Sequence, residues 1–153
     1  MLGDYAWQAP DGMLVGRTRG QQPHDVAKLR GVRFCQAPET ESGECLSEGL
    51  VKQLTGGASI TARPMYGEWF SFQPVAKLWV QGQHRPRIKG SDHGTWRRIV
   101  LIPFDVTIEE SRRDRDLCNA LNAEGEGILN WLIEGAQEWM RQGLNFPPEI
   151  RAA

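Results

Sequence analysis

The run Ala76-Lys77-Leu78-Trp79-Val80-Gln81 passes straight into Gly82-Gln83-His84-Arg85-Pro86-Arg87-Ile88-Lys89-Gly90, and a second apolar run, Ile99-Val100-Leu101-Ile102-Pro103-Phe104, follows. Both apolar runs have the length and β-branched or aromatic content of strands, with Pro86, Gly90 and Gly94 punctuating a basic loop between them. Upstream, Val32-Arg33-Phe34-Cys35-Gln36-Ala37 is a third strand that stops at Pro38. Before it, residues 23–30 read as a short helix: Pro23 suits its first turn, Asp25 its dipole and Gly31 a left-handed end. After it, Leu46, Leu50, Val51 and Leu54 keep helical spacing up to Gly56-Gly57. Residues 59–64 and 68–73 flank Met65-Tyr66-Gly67 as a hairpin, and residues 4–20 read as loop with short elements. Apolar strands alternating with helices predict an α/β domain with a partly parallel sheet. Ligands of such sheets bind beyond the carboxyl ends of strands, which nominates Glu39, Glu41, Gln83, His84 and Arg85 as neighbours of a site.

Toward the carboxyl end, Thr107-Ile108-Glu109-Glu110 resembles a capping box that would start a helix. Ile128, Leu129, Leu132, Ile133, Ala136, Trp139 and Met140 make one helical stripe, ended by Gly143 and Pro147-Pro148. Trp79, in an apolar strand, and Trp139, on this stripe, are expected in the core.

Composition is that of a soluble protein: 153 residues, 40% hydrophobic and 24% charged, with 18 basic and 19 acidic residues for a net charge of −1. The total excludes collagen-like and disordered classes, and it leaves any nucleic-acid contact to local patches. Residues 81–98 are one such patch, with five bases, one acid and two histidines, whereas residues 39–48 hold four acids and no base. Cys35, Cys45 and Cys118 are odd in number and widely spaced, which fits a reducing, cytoplasmic setting better than a disulfide framework or zinc ribbon. His84 and His93 stand nine apart without a third ligand, so a metal site there is not expected. No apolar run approaches the roughly 20 residues that span a bilayer, and no signal peptide is recognisable.

In order along the chain, Leu2-Gly3-Asp4-Tyr5-Ala6, Leu29 to Phe34, Glu39-Thr40-Glu41-Ser42-Gly43, Val51 to Gly57, Thr61-Ala62-Arg63, Phe70 to Pro74, Lys77-Leu78-Trp79, His84 to Ile88, and Trp96-Arg97-Arg98-Ile99 through Phe104 form an ordered set. This set resembles the superfamily 3, AAA+-type helicase region of the phage/plasmid primase family. The resemblance implies a partial P-loop NTPase fold, a three-layer α/β arrangement without its P-loop strand, with a β-hairpin insertion and C-terminal helices. Residues 1–104 would be the partial helicase core and 105–153 a C-terminal helical segment. The strand at 32–37 would be the Walker B strand, with Glu39, and Glu41 beside it, holding Mg²⁺ through water and orienting an attacking water. Gln83 would carry the sensor of the γ-phosphate, and Arg97 and Arg98 the arginine finger. Lys52, Arg63, Tyr66, Arg85, Arg87 and Lys89 would contact single-stranded DNA, the hairpin pair by phosphate contact and base stacking. The complete family protein would bind ATP and Mg²⁺ and form a hexameric ring.

The sequence departs from that pattern. Its four lysines, Lys28, Lys52, Lys77 and Lys89, never follow a glycine, so no Walker A motif exists in it. Gln83 stands where Asn is usual, Ala58 where Asp is common, and Pro38 where a small polar residue is usual. The expectation is a fragment of a phage or plasmid primase-helicase, without tight nucleotide binding of its own. The alternative is a non-catalytic DNA-binding or oligomerisation remnant of a decayed helicase gene. A frame starting at Met1 inside the pattern fits a truncated, decayed or split gene. If the strand missing before Met1 belongs between 76–81 and 99–104, both of those strands are left with an open edge.

Overall fold

The computed structural model describes residues 2–15, 23–38, 44–84, 87, 88, 90 and 93–152. The chain forms two compact units, Leu2–Ile99 and Val100–Ala153.

In the first unit a 3-10 turn, Gly3–Tyr5, leads into strand β1 (Ala6–Gln8). Helix α1 (Pro23–Ala27) precedes β2 (Phe34–Ala37), helix α2 (Glu48–Thr55) follows, and β3 (Ile60–Ala62), β4 (Phe70–Phe72), β5 (Lys77–Val80) and the short α3 (His93–Trp96) complete the unit. Gly31 takes φ +81°, as a residue closing the turn after α1 must. Strands β1, β2 and β5 make a parallel sheet with β2 central. The α/β character expected from the alternation of strands and helices is therefore present.

One face of that sheet is the core. Cys35 and Ala37 of β2 point inward, joined by Leu29, Val32, Leu46, Leu50, Val51, Leu54 and Ile60. Leu50, Val51 and Leu54 form the buried face of α2, and each fully buried leucine of this kind contributes about 1.5–3 kcal/mol. Period-two alternation carries Trp79 to the other face, where it is 49% exposed and its ring lies 6.0 Å from that of Phe34. The core placement expected for Trp79 is thus wrong: Leu78 is the inward residue of that pair.

Strands β3 and β4 form the expected hairpin, in antiparallel register Ile60↔Phe72 and Ala62↔Phe70, with the Thr61 and Ser71 hydroxyls 2.9 Å apart. Ile60 and Ala62 are buried, and the Arg30 guanidinium lies 5.1 Å above the Phe70 ring. The paired segment is shorter than the sequence suggests.

The run 99–104 is not a strand. Ile99 packs against the core of the first unit, while Val100, Ile102 and Phe104 are exposed. Apolar character alone cannot make a strand without a partner edge, and Pro103 removes one donor from any ladder.

In the second unit Glu110–Arg112 is a 3-10 turn rather than a helix started by Thr107. Regular helix begins at α4 (Leu117–Ala123), where Asp116 accepts a hydrogen bond from the Asn119 side chain. Helix α5 (Gly125–Gln142) carries the apolar stripe and stops at Gly143, whose φ is +71°; α6 (Pro148–Ala152) follows. Trp139 is 55% exposed, so the stripe is helical as expected but this tryptophan is not a core residue.

Candidate nucleic-acid interface

Parallel pairing sets the chain's exits from the sheet. Ala37 and Val80 are register partners, so the segments after β2 and β5 leave the same edge side by side. The Gln36 amide donates to Gln81 Oε1 at 3.3 Å across that edge. Farther out, the backbone ties three loops together. Leu46 N–H donates to the Arg87 carbonyl at 2.8 Å, Arg87 N–H to the Glu44 carbonyl at 3.3 Å, and Ser47 N–H to the Leu14 carbonyl at 2.7 Å. Cys45 bridges Arg87 in parallel sense and Leu46 bridges Val15 in antiparallel sense. The loops after β1, β2 and β5 are thus held together beyond the carboxyl ends of their strands. Gln83 and His84 lie exposed just past β5, and the Arg87 side chain is exposed from a backbone pinned on both sides. Glu39, Glu41, Arg85 and Lys89 lie outside the described residues.

Gly90, Thr95 and Arg98 all bond to α2. Glu48, in the first turn of α2, accepts from Gly90 N–H at 2.8 Å through Oε1 and from the Thr95 hydroxyl at 3.3 Å through Oε2. Thr95 is fully buried. At the other end of the helix the Arg98 guanidinium donates to the Thr55 carbonyl at 3.2 Å. Of the two adjacent arginines, Arg98 is therefore engaged with α2 and half-buried, while Arg97 is exposed. Lys52 is half-buried on α2.

The hairpin supplies the aromatic part. Gly67 N–H donates to the Pro64 carbonyl at 3.0 Å and closes a turn that presents Met65 and Tyr66. Tyr66 is 100% exposed and adopts φ +60°. Across the stem, the Arg63 guanidinium lies 5.1 Å above the Trp69 ring, which is 57% exposed. Arg63 and Tyr66 are expected from the sequence at this hairpin; Trp69 is not. Its signal was available: Arg63 and Trp69 flank the turn just outside the paired residues Ala62 and Phe70, where cross-hairpin neighbours meet.

The chemistry within reach is recognition of phosphate and bases. Exposed arginines can pair with phosphate oxygens, and exposed indole and phenol rings can stack on unpaired bases. Among the described residues no group of three or more histidine, cysteine or acidic side chains could hold a metal ion. The Cys35 thiol, pushed up by burial, belongs to the core. No described helix is long and apolar enough to cross a membrane.

No family model matches the chain. Its sequence is similar to that of a "putative helicase" of Acanthamoeba polyphaga mimivirus, 39% identical over 80 residues, which are 52% of this chain and 8% of the viral protein. A "putative helicase" of Frog virus 3 is 34% identical over 113 residues, 70% of this chain and 12% of that protein. A "putative primase" of African swine fever virus is 29% identical over 102 residues, 65% of this chain and 11% of that protein. The chain thus spans about a tenth of the length of these relatives, all of them proteins of large DNA viruses.

Proposed function

We propose that this chain, a relative of a segment of the helicases and primases of large DNA viruses, is a part of such a protein that grips single-stranded DNA. The observation that carries the reading is the hairpin, which exposes Tyr66 and Trp69 beside Arg63. A base can stack on either ring, and the guanidinium beside them can meet the adjoining phosphate. Arg87 and Arg97 supply phosphate contacts, Arg85 and Lys89 add charge to the same stretch of sequence, and Lys52 adds charge on α2.

In the complete protein this grip would serve ATP-dependent unwinding within an oligomeric ring. ATP and Mg²⁺ do not fit the residues present. No glycine precedes a lysine anywhere in the sequence, so neither the backbone cradle nor the phosphate lysine of a P-loop can be assembled from it. Glu39, Glu41, Gln83, Arg97 and Arg98 would act as catalytic groups only on a phosphate chain held by residues outside this sequence.

Fluorescence anisotropy with a labelled oligothymidylate and a duplex of equal length tests the proposal. The single strand is expected to bind more tightly. Its affinity should fall with rising salt as condensed counterions are released. A Trp69→Ala variant should lose about 5- to 150-fold, from the roughly 1–3 kcal/mol of one base–aromatic stack. Equal affinity for single strand and duplex, or an unchanged Trp69→Ala variant, would overturn the reading.

A further inference from the structure

We infer that Glu48 is a positioning residue, which holds the basic segment ending at Arg98 against α2 so that Arg97 meets the phosphate backbone. The inference rests on the single-stranded DNA reading above. Glu48 spreads its two carboxylate oxygens over two points of that segment, Gly90 N–H at 2.8 Å and the Thr95 hydroxyl at 3.3 Å. Two donors on one planar group fix both distance and orientation. The approach is close: a Cβ on Gly90 would stand 2.6 Å from Oε2 and 3.3 Å from the carboxylate carbon, so the Glu48 carboxylate would have to shift to admit a side chain there. Thr95 is the sole buried polar or charged residue among those described, and its hydroxyl is spent on Glu48.

The second anchor lies at the far end of the same helix. Thr55 is seven residues beyond Glu48, about 10 Å along the axis. Its carbonyl, among the unpaired acceptors at the helix C-terminus, takes the Arg98 guanidinium. Arg97 lies between the Thr95 and Arg98 anchors, with its N–H also bonded to the His93 carbonyl at 3.2 Å. Its main chain is restrained on both sides while its side chain is exposed. A guanidinium on a fixed backbone gives up less freedom on meeting a phosphate than one on a loose loop. Glu48 itself touches no DNA in this scheme, since an anion facing phosphate would repel it; it acts through Arg97.

A double-mutant cycle with Arg97 separates positioning from plain stabilisation. The full chain and its Glu48→Ala, Arg97→Ala and double variants are titrated with labelled oligothymidylate well below their melting temperatures. Glu48→Ala is expected to weaken binding about tenfold, the loss typical of one hydrogen bond to a charged group. It should also lower the salt slope by about one phosphate contact. In the Arg97→Ala background, Glu48→Ala should cost almost nothing more. Glu48→Gln, which keeps an acceptor for Gly90 N–H, should recover most of the affinity. Additive losses from Glu48→Ala and Arg97→Ala, or a Glu48→Ala variant that binds like the parent, would overturn the inference. Hydrogen exchange, read without DNA, keeps the two ideas apart. Glu48→Ala should speed exchange about tenfold at Thr95 to Arg98 and leave the β2 and β5 amides protected. Unchanged exchange at Thr95 to Arg98 would overturn the splint even if the parent binds DNA. A parent that binds no DNA would sink the DNA reading, and with it the role assigned to Glu48.

Discussion

Replacing Tyr66 with asparagine should make the protein more stable and a poorer ligand for DNA. Tyr66 is the one non-glycine residue with positive φ among the described residues, at +60°. For an L-residue with a full side chain that conformation costs roughly 1–2 kcal/mol, and asparagine pays less because its short side chain hydrogen-bonds locally. The turn is closed by Gly67 N–H on the Pro64 carbonyl, so Tyr66 is its third residue, a position where positive φ favours glycine or asparagine. No burial offsets the strain, since the side chain is 100% exposed. Relief of part of the strain gives a gain of about 0.5–1 kcal/mol. For a domain of this size that is a rise in Tm of roughly 2–8 °C. Glycine would relieve the strain too, but it would add unfolded-state entropy and blur the gain. Loss of the ring removes one stack, about 1–3 kcal/mol, or about 5- to 150-fold in affinity for single-stranded DNA. Differential scanning fluorimetry and anisotropy on the same preparation read both quantities. A Tm that stays level or falls would refute the strain argument, and unchanged affinity would refute the contact.

Leu50 is 2% exposed on the buried face of α2, so Leu50→Ala should cost about 2–5 kcal/mol in urea unfolding; a loss below about 1 kcal/mol would mean that α2 does not anchor this core. Under native conditions a thiol reagent should modify exposed Cys118 rapidly and buried Cys35 only as fast as the fold opens, and equal rates would contradict the packing of β2. Burial raises the Cys35 thiol above its ordinary value of 9.0, so the folded state holds that proton more tightly than the unfolded one. The contribution of this group to stability therefore falls as pH climbs past 9.0, and a Cys35→Ala variant should lose that part of the alkaline sensitivity.

Local periodicity was a good guide where burial had one clear partner. The stripe Leu46, Leu50, Val51 and Leu54 became the buried face of α2, and the runs around Phe34 and Leu78 became neighbouring parallel strands. It failed where a strand depends on something not written in its own residues. Ile99 to Phe104 is as apolar as any strand in the chain, yet pairing requires a free edge in the right place. Trp79 misled for a different reason. Period two settles that Leu78 and Trp79 face opposite ways, but not which side of the sheet holds the core. At the candidate interface, Arg63 and Tyr66 stand out in the sequence because they sit at a hairpin turn, whereas Trp69 falls across the stem from Arg63 only once the register Ala62↔Phe70 is known. Glu48 was hidden by its company: it ends a run of four acids from Glu39 to Glu48, and such runs usually mean a solvated surface. Only the fold, which carries Gly90 and Thr95 to the start of α2, gives this one acid its partners.

On the single-stranded DNA proposal, a net charge of −1 offers little long-range attraction, so binding would divide between two local terms of different character. Phosphate contacts from exposed arginines such as Arg87 and Arg97 would release counterions and weaken with salt. Stacking on Tyr66 and Trp69 would release none and persist. The stacking term also selects the strand state, because a paired base has both faces covered by its neighbours and an unpaired base does not. Arg63 strengthens this division. Its guanidinium lies 5.1 Å above the Trp69 indole, which is 57% exposed, so an incoming base would meet a ring already packed against a cation. An arginine used in this way contributes order to the aromatic site as well as charge to the phosphate site. Preference for single strands should therefore survive at salt concentrations that abolish most of the affinity.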